Sequence, residues 1–575
     1  MDNAGVARIL DEIGDLLEIK GDNVFKIRAY RTAAETVAGA ARPVAELPDP
    51  DLLKLPGIGR DIAKKIREIA ETGDTALHRD LTQEFPPTIL DILRLQGVGP
   101  RTVRQLYVEL QVRTLEDLER AARDGRLEAL RGMGPRKRDL ILKAVEARQQ
   151  YAGRRLLPEM HDLAATVVSS LRQHAAGADV IPVGSLRRGC ETCGDLDVLI
   201  VGGDTGSIEP FTRHPLVEEV LARGDTKTSV KLRGGIQADL RLVPPESRGA
   251  AMQYFTGSKA HNIALRDRAI QRGLKLNEYG LFSTQDGASR AGASEESIYA
   301  ALGLAWIPAE LREDRGEIEL AATGRLPNLV TLADLKGDLH AHTTATDGRD
   351  DIAAMARAAQ AAGLEYLAIT DHSRAVAMAG GLDERGVLEH ARRIREVGAR
   401  LEGFTLLAGV ECDIRSDGTL DLNDECLATL DYVVASVHSN FTQDAREMTD
   451  RMLRAIECPW IDAIGHPTGR LLLKREPYRL DLAAVFDAAA RAGVALEINC
   501  QVDRLDLNDV NARLAREHGV KLVIASDAHS QAAFGALRWG VQVARRAWLE
   551  AGDVLNTLPA GALRNALRRA RGRAA

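Results

Sequence analysis

The chain has 575 residues, 45% of them hydrophobic and 28% charged, an ordinary globular composition on a length that needs several domains. No apolar run approaches the ~18 residues of a membrane span, Met1–Leu10 lacks a signal-peptide pattern, and six cysteines are too few for a disulfide framework, so a cytoplasmic protein without a membrane partner is expected. The net charge is −7, and residues 1–150 carry 25 Lys+Arg against 25 Asp+Glu. That balance excludes nucleic-acid binding through a strongly basic face and leaves backbone groups and helix ends to do it.

In chain order, residues 1–150 repeat a short unit: Leu55-Pro-Gly-Ile-Gly59, Leu95-Gln-Gly-Val-Gly99 and Leu130-Arg-Gly-Met-Gly134, each between helical patterns. After the first, Ile62, Ala63, Ile66 and Ile69 predict a helix over Asp61–Ile69. Two glycines around one apolar residue (Gly57 and Gly59, Gly97 and Gly99, Gly132 and Gly134) make a tight turn whose amides point outward at a helix N-terminus. That is an anion site suited to a DNA phosphate. A single copy reads equally well as a plain helix–helix turn; three do not. The units resemble helix-hairpin-helix motifs, one in a helical region over 1–85 and two in a second over 86–150.

Past Tyr151 the pattern changes. Val180–Val183, Asp195–Val201 and Gln237–Val243 read as strands. Along a strand, residues i and i+2 share a face, so Asp195 and Asp197 point the same way. Paired carboxylates suit two hard cations, Mg²⁺ or Mn²⁺, and in-line attack of a sugar hydroxyl on an α-phosphate. Asp239, on another strand, is placed to complete the site. Upstream, Gly184-Ser185 offers a close-approach turn and a hydroxyl for phosphates, and Arg188 a forked donor. Cys190 and Cys193 have CxxC spacing without a second pair, so no zinc is expected there.

Gly-Ser-Leu-Arg-Arg-Gly from Gly184, Gly-Asp-Leu-Asp ending at Asp197, Tyr254-Phe-Thr-Gly-Ser-Lys-Ala-His-Asn262 and Arg272-Gly-Leu-Lys-Leu-Asn-Glu-Tyr-Gly-Leu-Phe282 resemble family X DNA polymerases over residues 1 to about 312. The resemblance implies a nucleotidyltransferase palm over 151–250 and a segment over 251–312 that binds the nucleotide and nascent base pair. It implies that Asp195, Asp197 and Asp239 hold the catalytic cations and that Ser185, Arg188 and Gly194 hold the triphosphate. Tyr254, Phe255 and Gly257 then lie under the sugar, and Asn262 reaches the base pair. Animal members place an acidic residue where this chain has Lys259, whose charge suits the phosphates of an incoming nucleotide. Members with lyase activity use a lysine in the helix after the first hairpin, which corresponds to Lys65, with Lys26 also at a matching position.

Glu313–Lys336 is polar and weakly periodic and reads as a linker. Beyond it, Tyr366–Thr370, Thr405–Val410, Tyr432–Val437, Ile461–Ile464, Val494–Ile498 and Leu522–Ala525, with a strand ending at Asp338, make about seven apolar runs separated by Ala-rich helices. Such βα alternation predicts a parallel sheet closed into a barrel with function at the C-terminal strand ends. Six of the eight histidines in this half follow those runs: His340, His342, His372, His438, His466 and His529. With Asp347, Glu411 and Asp527 they form a mixed imidazole–carboxylate set suited to Zn²⁺ or Mn²⁺, and nine ligands call for two or three ions. His390 and His518 fall in helical stretches and read as structural, as do Cys412, Cys426, Cys458 and Cys500.

The set resembles that of the PHP (polymerase and histidinol phosphatase) domain over about 337–575, with every ligand position filled. The resemblance implies a distorted (βα)7 barrel and a phosphoesterase acting as a 3′→5′ exonuclease, with abasic-site endonuclease and 3′-phosphatase as side activities. Together the two halves read as a multidomain α+β and α/β repair polymerase for base excision repair, whose partners are gapped or primed DNA and deoxynucleoside triphosphates. Nothing in the sequence demands a dimer, so a monomer is expected. The alternatives are a transferase of nucleotides to something other than DNA, which the three hairpins oppose, and a PHP domain that only scaffolds the polymerase.

Overall fold

After the first glycine turn the chain forms the helix Arg60–Thr72, which buries Ile62, Ala63, Ile66 and Ile69. The computed structural model describes residues 3–38, 40, 44–86, 88–93, 95, 98–151, 153–175, 177–376 and 379–567. The chain divides into two units, essentially residues 1–152 and 153–575. The first is all helix, built on an apolar core that includes Leu10, Ile13, Leu17, Ile66, Leu106 and Leu118. Gly59 and Gly99 are the residues before Arg60–Thr72 and Pro100–Leu110, and no side chain caps either helix. A Cβ added at Gly59, Gly99 or Gly134 meets nothing within 4 Å, so these amide edges stay open to an approaching backbone. Gly57 (φ 71°) and Gly132 (φ 83°) take the left-handed conformation that glycine adopts without strain. Gly97 lies outside the described residues.

The second unit opens on a five-stranded sheet in the order Asp179–Pro182, Asp195–Val201, Gln237–Val243, Lys227–Leu232, Val217–Arg223. The strand Asp195–Val201 runs parallel to Gln237–Val243 and pairs Asp197 with Asp239 in register. The last two strands escape the sequence reading: all of Val217–Arg223 is partly or fully exposed, so it carries no apolar alternation. Residues 251–313 follow as helices and a three-stranded sheet, Leu274–Asn277, Gly280–Ser283 and Ser289–Ala291.

The segment 313–336, expected as a linker, is packed structure. It contains the helix Glu317–Ala322, and Glu317 is fully buried with its carboxylate 2.6 Å from His261 Nδ1. Trp548, from the C-terminal half, joins the core of residues 250–329. Several of the polar letters that suggest a loose tether, Glu313, Arg315 and Glu317, are paired with distant partners.

The same pairing occurs just before the segment at Glu295, which accepts from Arg312 at 2.7 Å and from both ends of the Arg187 fork at 2.7 and 2.8 Å. Burial pushes its carboxyl up, but hydrogen bonds and charge from Arg187 and Arg312 outweigh that and hold it at about 2, against 4.5 for a free group. A lowered acid contributes stability above its unfolded value, and the contribution is lost as pH falls from about 4.5 through about 2. Glu295→Gln leaves the fully buried Arg312 without its anion. The expected cost is about 3–5 kcal/mol, read as faster amide exchange over 251–313; unchanged exchange at pH 7 refutes it.

In the C-terminal half seven parallel strands follow each other in sequence order: Gly337–Asp338, Tyr366–Ile369, Thr405–Asp413, Tyr432–Ser436, Ala463–Ile464, Ala495–Asn499 and Leu522–Ala525. First and last meet only through the Ala341–Ala528 bridge and hydrogen bonds from Ser526 to Asp338, so the barrel is nearly closed. Its interior holds Leu339, Tyr366, Leu407, Tyr432 and Val523, with Leu563 and Leu567 packed against them.

Candidate active sites

In the sheet of the second unit, Asp195, Asp197 and Asp239 converge because two parallel strands run in register. Burial first, then the neighbouring charges of Asp195 and Asp239, push the Asp197 carboxyl up to about 7, which Arg188 and Arg241 only partly offset. Three carboxylates brought together, with Asp197 disfavoured as an anion by burial and by the other two, call for positive charge from outside the protein, which fits a pair of hard cations. Gly184 (φ 68°) closes over them: a Cβ there would lie 2.2 Å from Asp197 Oδ2. The Ser185 hydroxyl is buried beside the Cys193 thiol and otherwise has no hydrogen-bond partner, as a group awaiting a ligand oxygen should be. Gly194 is half-buried next to Arg154.

Arg188 departs from expectation. Its Nε donates to Glu313 at 2.9 Å and its Nη1 to the Thr256 carbonyl at 2.5 Å, so most of the fork is committed to protein. Gly257 (φ 70°) leaves room for that guanidinium. Tyr254 and Phe255 stand edge to face at 5.1 Å, with Arg241 over the Phe255 ring at 5.1 Å. Asn262 donates to the Tyr254 carbonyl at 2.7 Å and accepts from Gln253 at 2.7 Å. Lys259 opens the helix Lys259–Gln271 and is exposed.

The second site gathers all nine expected residues at the C-terminal strand ends. Glu411 is its centre: His372 Nδ1 is 2.8 Å away, His466 Nε2 3.1 Å, His438 Nε2 3.2 Å, His340 Nε2 3.4 Å and His342 Nε2 3.6 Å. Asp527 lies 3.1 Å from His342. Asp347 is 3.3 Å from His372 and 3.4 Å from His529.

Three groups have ligand atoms close enough to share an ion: His342, Asp347, His372 and His529; His340, His342 and Asp527; and His372, Glu411 and His438. The buried nitrogens His340 Nε2, His342 Nδ1 and His466 Nδ1 lack hydrogen-bond partners. Unsatisfied imidazoles around carboxylates are what a cation site needs. Burial lowers His372 and His438, but Glu411 above all raises them past it, to about 10 and about 9. A cation therefore displaces protons there. His466 (φ 26°) and Asp527 (φ 52°) sit in the left-handed region that non-glycine residues occupy mainly where function holds them.

Residues 157–242 match the DNA polymerase beta palm family and 251–313 the DNA polymerase beta thumb. Residues 1–75 match a helix-hairpin-helix domain, 89–147 a SAM-like helix-hairpin-helix tandem and 338–501 the PHP domain. A Bacillus subtilis protein, DNA polymerase/3′-5′ exonuclease PolX, is 36% identical over 97% of both chains. This chain belongs to the family X DNA polymerases that carry a C-terminal PHP domain. The two halves of this family X polymerase also have separate relatives. A probable phosphatase of Thermoanaerobacter sp. is 30% identical over 38% of the chain and 89% of its own length. DNA polymerase lambda of Rattus norvegicus is 25% identical over 54% of the chain and 56% of its own.

The PHP barrel of this family X polymerase also supplies residues that sequence reasoning missed. Glu497 contacts His340 Nδ1 at 2.7 Å, fixing which of its imidazole nitrogens faces the cluster, and accepts from the backbone amide of His466 at 2.6 Å. A charged letter inside the apolar run Val494–Ile498 was its only signal. Asp413 does the same for His438 at 3.1 Å. His390, read as structural, holds Asp371 at 2.7 Å, and Asp371 accepts from Thr343 and Thr346, in the loop that carries Asp347. In the hairpin unit Lys65 pairs with Glu68 at 3.2 Å and Lys26 with Asp22 at 3.0 Å. All six cysteines are free, and no described helix is long and apolar enough to cross a membrane.

Proposed function

We propose that this chain is a monomeric cytoplasmic DNA polymerase that fills short gaps in base excision repair and trims 3′ ends with its PHP domain. The observation that carries it is one chain holding both the Asp195–Asp197–Asp239 trio and three adjoining metal-competent groups that share His342 and His372, with His466 beside Glu411, in a relative of a polymerase/exonuclease similar along 97% of its length. When bound, Mg²⁺ or Mn²⁺ at the trio and Zn²⁺ or Mn²⁺ at the cluster supply Lewis acidity and neutralise charge on phosphate oxygens.

The protein groups do the rest. Asp195, Asp197 and Asp239 hold cations beside the primer 3′ hydroxyl; Ser185, Arg188 and Gly194 take the triphosphate. The Tyr254–Phe255 edge at Gly257 faces the sugar, where bulk rejects a 2′-hydroxyl, and Asn262 turns from Tyr254 toward the base pair. The glycine turns, open at Gly59, Gly99, Gly132 and Gly134 and including Gly57 and Gly97, clamp the backbone. In the barrel, His340, His342, Asp347, His372, Glu411, His438, His466, Asp527 and His529 would hold the ions that activate water for phosphodiester hydrolysis, with abasic-site endonuclease and 3′-phosphatase reactions accessible to the same centre. Buried imidazoles without partners favour a catalytic PHP domain over a scaffold.

The test is extension and 3′-end degradation on one labelled gapped DNA with Asp197→Asn and Glu411→Gln; extension surviving the first, or degradation surviving the second, overturns that half. Lys259, exposed at a helix start, is expected to raise nucleotide affinity before DNA binds. Lys259→Ala should weaken nucleotide binding without DNA by about tenfold, and equal affinities remove that role. A 5′-deoxyribose phosphate lyase step falls to Lys65, whose ammonium must first leave Glu68. Borohydride trapping should be lost in Lys65→Ala; cross-linking that persists assigns the step elsewhere, Lys26 included.

A further inference from the structure

Glu313 joins the palm to the last long helix of the barrel half, Leu537–Arg546. Its Oε1 accepts from Arg188 Nε at 2.9 Å and from Arg546 Nη1 at 3.0 Å. Arg546 Nη1 also donates to the Arg188 carbonyl at 2.9 Å, and Nη2 to Asp509 at 2.9 Å. Asp509 is held in turn by Arg315 at 3.0 Å. The three side chains at the centre are 14%, 17% and 8% exposed for Arg188, Glu313 and Arg546, so each charge depends on its partners.

Under the function proposed above, Arg188 is a triphosphate ligand. As it stands, two of its donors face Glu313 and Thr256, so gripping a triphosphate with the fork means leaving Glu313. A carboxylate abandoned in a buried place is strongly unfavourable. Glu313 is not abandoned, because a second guanidinium already sits on the same oxygen. Burial pushes the Glu313 carboxyl up, yet Arg188 and Arg546 together hold it below the usual carboxylate range.

We infer that Arg546, a residue of the PHP half, is a positioning residue of the palm's nucleotide pocket: it keeps Glu313 paired so that Arg188 can exchange Glu313 for the triphosphate. The barrel thereby sets nucleotide affinity some 350 residues away in sequence, a separation of 358 between Arg188 and Arg546. The direction of each effect follows. Without Arg546, Arg188 is the only charge left on Glu313, beside a weak contact from the Cys190 thiol at 3.8 Å, and is gripped harder, so nucleotide binding weakens. Without the Glu313 charge, Arg188 is released and binding tightens. A purely structural network predicts that both changes weaken binding.

The measurement is the equilibrium affinity of full-length protein for the deoxynucleoside triphosphate complementary to the template, on gapped DNA with a dideoxy-terminated primer and Mg²⁺. Arg546→Ala is expected to weaken it about fivefold or more, and Glu313→Gln to tighten it by a similar factor. In the Glu313→Gln background, removing Arg546 should cost much less than it does alone. If Glu313→Gln and Arg546→Ala weaken binding alike, or Arg546→Ala changes nothing, the exchange is wrong. Arg188→Ala tests the underlying assignment separately: affinity unchanged in that variant removes Arg188 as a ligand, whatever the other two show. Should Arg546→Ala also lose 3′-end degradation, a sign of a disrupted barrel, Arg546→Lys decides. It keeps a cation on Glu313 and is expected to bind nucleotide more tightly than Arg546→Ala, and equal weakness of the two overturns the exchange.

Discussion

Asp197→Asn is expected to cut primer extension on gapped DNA by about a thousandfold or more, the size of losing several kcal/mol of charge stabilisation at the reacting phosphate, while 3′-end degradation persists. Asp197 is the middle of the trio, in register with Asp239 and two residues from Asp195. The stability effect should run the other way. A carboxyl raised to about 7 from 3.8 is one whose charge the fold disfavours. It therefore weakens the fold progressively as pH rises from about 4 to about 7, and by its full amount above that. In EDTA above pH 7 the amide variant should melt at or above the wild-type temperature. Loss of activity together with a clear fall in melting temperature would mean that the variant is misfolded, not disarmed; retained extension would remove Asp197 from the site.

Glu411→Gln is expected to lower 3′-end degradation by a comparable factor and to strip metal from the purified protein, with extension within about twofold of wild type. Five imidazoles lie within 3.6 Å of this one carboxylate, so no other single change touches as much of the cluster. Here stability should fall. Burial pushes the Glu411 carboxyl up, but His438, His372 and His340 outweigh it and hold it well below the usual range. Its charge is therefore one that the fold favours, and EDTA-treated variant should melt below wild type. Elemental analysis and a labelled-primer gel check both halves. Undiminished degradation would show that the hydrolytic centre lies elsewhere. The opposite signs for Asp197 and Glu411 follow from their surroundings: one acid stands among acids, the other among imidazoles.

Both sites were legible in the chain because their ligands obey short-range rules. Asp195 and Asp197 share a face through the two-residue strand period, and Asp239 sits in a second run of the same kind. The histidines follow apolar runs directly, which is what strand ends in a parallel barrel produce. Less local features were not legible. The edge strand Val217–Arg223 is too exposed to alternate, and its neighbour Lys227–Leu232 buries Thr228 and Ser229, polar letters that carry no strand signal. Glu497 looked like one charged letter in an apolar run, though it orients the His340 ring and holds the backbone amide of His466. Residues 313–336 look loose in sequence because their charges find partners far away: Glu317 at His261, Arg315 at Asp509, Glu313 at Arg188 and Arg546.

By itself the sequence determined which residues can hold cations and phosphates and on which elements they ride, since periodicity and turn chemistry act over a few residues. Only the tertiary structure decided how those residues are engaged: that Arg188 is held by Glu313, that Arg546 shares the same oxygen, and that Glu411 stands at the centre of five imidazoles. Those facts depend on buried charges finding partners across hundreds of residues, and no local pattern encodes such pairings.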